Sequence, residues 1–136
     1  MVKNGEKSTP AVKAAIVDIQ WILNNLPSFR AAQTEQQQNV AALQNRVNGV
    51  NAQIAQQTIA EEKQKMTLQG QNEFAQRQQV VQQNYAKKLQ AIDAEVTKMI
   101  ADTAQELGYD MVFAKTTLVY GGTDITAQVA AKITKA

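Results

Sequence analysis

The chain has 136 residues, 14 of them basic and 12 acidic, with no Cys and no His. That length favours one domain. The near-even charge argues against electrostatic capture of DNA or RNA, and without Cys and His the chain has no disulfides, no Cys/His zinc site and no thiol or imidazole catalysis.

Residues 1–13, MVKNGEKSTPAVK, carry Gly5, Pro10 and scattered Lys and read as a flexible tail. They contain no apolar core of a signal peptide. Such a start suits either a cytosolic chain or a mature one whose export signal has been removed. Nowhere does an apolar run approach the ~20 residues that span a bilayer. The stretch AAIVDI, Ala14 to Ile19, is β-branched and apolar and predicts a strand. Trp21, Ile22 and Leu26 then line one side of a short helical turn, which Pro27 limits. Ser28 is the expected N-cap of the next helix.

From about Phe29 to Leu107 the pattern is helical with one break. Val40, Leu43, Val47, Val50 and Ile54 repeat at spacings of 3, 4, 3 and 4, and Tyr85, Leu89, Ile92, Val96 and Met99 repeat at 4, 3, 4 and 3. Each set is a heptad seam, and Val81 and Phe74 extend the second backwards. Two seams predict an antiparallel helical hairpin. Thr58 and Glu61 have capping-box spacing, which places the reversal near residues 56–58. Gly49 and Gly70 sit within helical pattern and weaken it without ending it. The returning helix would be roughly 70 Å long at about 1.5 Å per residue, so the hairpin is expected to project.

Gly108 reads as the glycine just past a helix end. YDMVFAK predicts a strand with Met111 and Phe113 on one face and Val112 on the other. TTLVYGG predicts another, ending at a Gly121–Gly122 turn. The last stretch predicts a short helix with Thr126 as N-cap, Ile125, Val129 and Ile133 on one face, and Lys132 and Lys135 near its C-terminus. Strands at both ends of the chain can meet in one sheet below the hairpin. So small a sheet leaves exposed edges, which pairing between subunits would cover.

Three segments resemble the Skp/OmpH family of periplasmic chaperones: AAIVDIQWILNNLP, ELGYDMVFAK and LVYGGTDITAQVAAKI. The family's V-D opening, G-Y-D strand and D-I-T turn correspond in order to Val17, Asp18, Ile19 and Ile22, to Gly108 through Val112, and to Asp124 through Thr126. The resemblance implies a homotrimer whose body is a β-barrel built from all three subunits. Helical hairpins hang from it around a central cavity. It further implies an ATP-independent, periplasmic holdase for unfolded outer-membrane β-barrel proteins, with the export signal removed and no cofactor. Arms of the best-known members are strongly basic. Here, between Gln20 and Leu107, eight basic residues (Arg30, Arg46, Lys63, Lys65, Arg77, Lys87, Lys88, Lys98) face eight acidic ones (Glu35, Glu61, Glu62, Glu73, Asp93, Glu95, Asp102, Glu106). Neutral arms capture weakly at long range, so no membrane or lipopolysaccharide site is carried over.

The expected fold class is therefore α+β: a long antiparallel helical hairpin, or coiled-coil arm, projecting from a small β-sheet body that trimerises into a barrel. The body comprises residues 14–27 and 108–136, and the arm comprises 28–107. Ile16, Val17, Ile19, Trp21, Val112, Phe113, Leu118 and Tyr120 are the expected oligomerisation residues. Met66, Leu68 and Phe74 are candidate client contacts, with filling of the interhelical seam as the plainer role. The Gln-rich helix faces are a candidate client surface, with simple solvated helix as the plainer reading. Asp18, Asp110 and Asp124 have no nucleophile, ligand set or phosphate loop beside them, so turn and cap roles are expected and no enzyme. The other functional class open to this pattern is a coiled-coil structural or adaptor protein of the cell envelope. A prefoldin-like arrangement is disfavoured, because there the strands lie between the two helices.

Overall fold

The computed structural model describes residues 12–133. Most of the expected tail, and Lys135 at the other end, lie outside the described residues. The chain forms two compact units: one is built from residues up to Arg30 and from Ile92 onward, the other from Ala31–Ala91.

In chain order the elements are β1 (Ala14–Val17), α1 (Ile19–Asn24), α2 (Pro27–Gln56), α3 (Ala60–Leu107), β2 (Met111–Ala114), a 3-10 turn (Lys115–Thr117), β3 (Thr123–Asp124) and α4 (Thr126–Ala130). The first unit holds a three-stranded sheet in the order β2–β1–β3. Both pairings are parallel. A parallel return needs a long crossover, and three helices intervene between β1 and β2. Alternation along β1 is clean: Ala15 and Val17 are buried, while Ala14 and Ile16 are half-buried. The buried face meets Ile22 of α1, Leu26, Ile125 and Val129 of α4 in a core that also holds Ile92, Val96, Met99 and Ala104 of α3. Thr103 is buried there with its hydroxyl donating to the Met99 carbonyl at 2.8 Å, so its polar group is satisfied.

Helix α3 ends as the sequence predicts. Gly108 has φ +80. The Tyr109 N–H donates to the Ala104 carbonyl at 2.8 Å and the Gly108 N–H to the Gln105 carbonyl at 3.3 Å, the two bonds of a Schellman cap. Elsewhere the termini differ from expectation. β1 stops at Val17 and Ile19 opens α1, because Asp18 accepts from the Trp21 N–H and caps that helix. Pro27, not Ser28, begins α2, since a first helical residue needs no N–H. The Ser28 hydroxyl donates to Glu95 instead, at 2.7 Å. TTLVYGG is not a strand: it passes through the 3-10 turn into a bend, and only Thr123–Asp124 pairs with β1. Thr126 is the first residue of α4 rather than its cap, and Ile133 follows the helix.

The second unit is an antiparallel pair of helices. Glu35 pairs with Lys88, Arg46 with Glu73, and Val50 faces Gly70, so position rises on α2 as it falls on α3. Leu43, Val47, Val50 and Ile54 are half-buried against Phe74, Val81, Tyr85 and Leu89 on the opposite helix, as the two seams predict. Val40 departs from its seam, at 51% exposure. Asn39 and Gln36 hold the inward positions there. Asn39 stands four residues before Leu43 and Val40 three, and either spacing can meet a helical stripe. At the reversal, the expected Thr58–Glu61 capping box is replaced by Gln57. Its side-chain oxygen accepts from the Thr58 and Ile59 N–H groups at 3.0 and 3.1 Å. Glu61 and Glu62 fall in the first turn of α3, where the helix dipole favours acids.

Candidate functional site

Two surfaces, one in each unit, collect the residues singled out by sequence. In the first unit the recurrent acids have structural work. Asp18 Oδ1 caps α1 through the Trp21 N–H at 3.1 Å. Its own N–H donates to Thr126 Oγ1 at 2.9 Å. The Thr126 hydroxyl donates onward to Asp124 Oδ1 at 2.5 Å, and the Thr126 N–H reaches the same oxygen at 2.9 Å. A single threonine thus ties the V-D opening to the D-I-T turn and locks α4 against α1. Those two bonds, helped by Lys115 at 3.7 Å, hold the Asp124 carboxyl below its ordinary range. Asp110 Oδ2 accepts from the Lys13 N–H at 2.9 Å, and the Asp110 N–H returns to the Lys13 carbonyl at 2.8 Å. All three acids therefore serve turns, caps and strand ends.

What this frame presents outward is apolar. Parallel register puts Ile16 beside Phe113 and Ala14 beside Met111 on the sheet face opposite the core. Met111 is 45% exposed, and Ile16 and Phe113 are half-buried. Gly122, at φ +82, crosses close over β1, where a Cβ would stand 3.0 Å from Ile16 Cγ2. Leu118 lies beside it. Val119 and Tyr120, between them in sequence, are more than nine-tenths exposed. β2 and β3 are both edge strands. Of the expected oligomerisation residues, Ile16, Phe113, Leu118 and Tyr120 gather on or beside this face. Val17 lies in the core of this unit, Val112 pairs with Ala15 on the inward side, and Ile19 and Trp21 are exposed on α1.

In the second unit, a cleft of about 230 Å³ opens between α2 and α3. Its walls include Leu43, Val47, Val50, Ile54 and Phe74, and Gly70 contributes no side chain. Arg46, Glu73 and Arg77 also line it. Glu73 accepts from Arg46 across the helix pair and from Arg77 Nε along α3 at 3.1 Å. The Arg46 bond, with Arg77 assisting, keeps the Glu73 carboxyl below its usual range, and Arg46 is held correspondingly more basic. Of the candidate client contacts, the structure brings only Phe74 into this cleft. Met66 is half-buried nearer the reversal, its sulfur 3.9 Å from Gln57 Nε2. Leu68 is 56% exposed on another face.

Sequence reasoning missed Gly70 and the Arg46–Glu73–Arg77 group. The i, i+4 spacing of Glu73 and Arg77 was a usable signal; Gly70 needs its partner Val50 to have meaning. Among the described residues no group of Asp and Glu could hold a metal ion, and no helix is long and apolar enough to cross a membrane.

A family model described as outer membrane protein (OmpH-like) matches residues 13–133. A comparison with curated proteins finds no match.

Proposed function

The chain belongs to the OmpH-like outer membrane protein family, and on that premise we propose that it is a chaperone for outer-membrane proteins, acting as a trimeric, ATP-independent holdase in the periplasm. One observation supports assembly above others: among the described residues, a three-stranded parallel sheet whose edge strands pair with no further strand and whose outer face, Ile16, Met111 and Phe113, is partly exposed. Parallel sheets are ordinarily covered on both faces. Contact between copies would bury Ile16, Met111, Phe113, Leu118 and Tyr120, with Val17 and Val112 behind them and Ile19 and Trp21 alongside. In this reading residues 14–27 and 108–136 are the body and residues 28–107 the arm. Three arms offer many weak contacts that bind an unfolded chain jointly while each exchanges fast. Met66, Leu68 and Phe74 are the arm residues proposed to touch it. Clients leave when a folded or inserted state is more stable, so no fuel is needed.

The test is light scattering after size exclusion, alone and with a urea-diluted outer-membrane β-barrel protein. A trimer mass that rises by one client, kept soluble without ATP, is the expected result. A trimer that leaves the client to aggregate would move the function to an envelope adaptor with one folded partner. A monomer would remove the edge-pairing argument.

A further inference from the structure

The interhelical cleft has the features of a built subsite. An apolar cavity of about 150 Å³ takes benzene, so about 230 Å³ admits one aromatic side chain and little more. Gly70 keeps that space open. Glycine is unfavourable inside a helix, and a Cβ here would stand 3.1 Å from Val50 Cγ1. The charged residues on the same cleft are unbalanced: two guanidiniums share one carboxylate. Both reach Glu73 through Nε alone, and their Nη groups have no protein partner among the described residues. Guanidinium Nη forks suit a second carboxylate and the face of an aromatic ring. A ring and a carboxylate on a single residue describe the C-terminal residue of a polypeptide.

We propose that this cleft binds the C-terminal aromatic residue of an unfolded polypeptide, with the ring among Val47, Val50, Gly70 and Phe74 and the terminal carboxylate on Arg46 and Arg77. The identity of that polypeptide as a client rests on the holdase reading; the recognition chemistry does not.

The test uses the full chain and a short peptide ending in Phe, labelled at its N-terminus and followed by fluorescence anisotropy. The free-acid peptide should bind about tenfold tighter than its C-terminal amide, as loss of a charge-assisted pair requires. Moving the Phe inward should weaken binding similarly. Gly70→Ala should lower affinity by about tenfold while the helices remain formed by circular dichroism, since Ala is the better helix former. Arg46→Gln with Arg77→Gln should abolish the preference for acid over amide, and serves as the test if the Gly70 variant fails to fold. Equal binding of acid and amide, equal binding of terminal and internal Phe, or a Gly70→Ala protein that binds as well as the parent would each overturn the proposal. Failure here with clients still kept soluble removes the subsite and leaves the holdase. Peptide binding with aggregating clients removes the holdase and leaves the subsite.

Discussion

Thr126→Val removes both bonds of the threonine that joins α1 to α4 while keeping its shape. Thr126 Oγ1 accepts from the Asp18 N–H at 2.9 Å and donates to Asp124 Oδ1 at 2.5 Å. In the variant Asp124 retains the bond from the backbone N–H of residue 126, but the Asp18 N–H loses its partner. An orphaned buried donor costs about 1–3 kcal/mol. This one is part-buried, so a loss of about 1–2 kcal/mol is expected. Trp21 is the sole tryptophan, and its N–H is the group Asp18 caps, so its fluorescence reports on the right element. Urea unfolding at one fixed protein concentration gives the change, since assembly would otherwise shift the midpoint. Asp18→Ala removes the cap and should cost about 1 kcal/mol. The double variant should lose less than the sum, by about 0.5 kcal/mol or more, as groups in one network do. A Thr126→Val loss below about 0.5 kcal/mol, or strict additivity with Asp18→Ala, would refute the idea that these residues act as one connected lock.

Ile22→Ala, at a fully buried core position, should lose about 2–5 kcal/mol in the same unfolding assay, whereas Val80→Ala, at 54% exposure, should stay within about 0.5 kcal/mol. Gly122→Ala forces an L-residue to φ +82 beside Ile16 and should cost at least about 1–2 kcal/mol. Gly49→Ala, helical and with nothing within 4 Å of the new Cβ, should instead gain up to about 1 kcal/mol by thermal melting. Asp124 contributes stability that is fully present above its ordinary value of 3.8, because its folded pKa is lowered; that contribution is lost as pH falls through the folded value. Urea midpoints from neutral pH into strong acid should fall less steeply for Asp124→Asn than for the parent, and equal slopes would deny the linkage.

How much of this was legible in sequence depended on whether one chain segment held the whole signal. Ile92, Val96 and Met99 are large, apolar and helically spaced, and all three are buried. Gly108 announced a helix end, and the helix ends there in a Schellman cap. Where a position's meaning lay on another element, the reading faltered. Asn39 displaces Val40 from the inward stripe, and no apolar pattern can mark a polar residue as inward. Gln57 holds the reversal by accepting from the Thr58 and Ile59 N–H groups just before α3, where the Thr-x-x-Glu spacing had pointed to Thr58. Leu118, Val119 and Tyr120 have strand propensity but no strand partner among the described residues, and the segment runs into a bend. The cleft was half visible: Phe74 stood out as a large residue among polar ones, while Gly70 looked like a mere blemish until Val50 appeared opposite.

The mismatch at Leu118–Tyr120 bears on more than secondary structure. Propensity and fold disagree most readily at functional or strained sites. Val119 and Tyr120 are nearly fully solvent-exposed, an unfavourable site for a β-branched and an aromatic side chain, and they directly follow the half-buried Leu118. Gly121 and Gly122, both at positive φ, then return the chain over β1 to place β3. Gly122 lets the segment pass close against β1, since a Cβ there would stand 3.0 Å from Ile16 Cγ2. A monomer would gain from covering the sheet's outer face with a helix of its own. On the trimeric reading proposed above, contact between copies completes the sheet, and assembly and folding of the first unit are then expected to be one process.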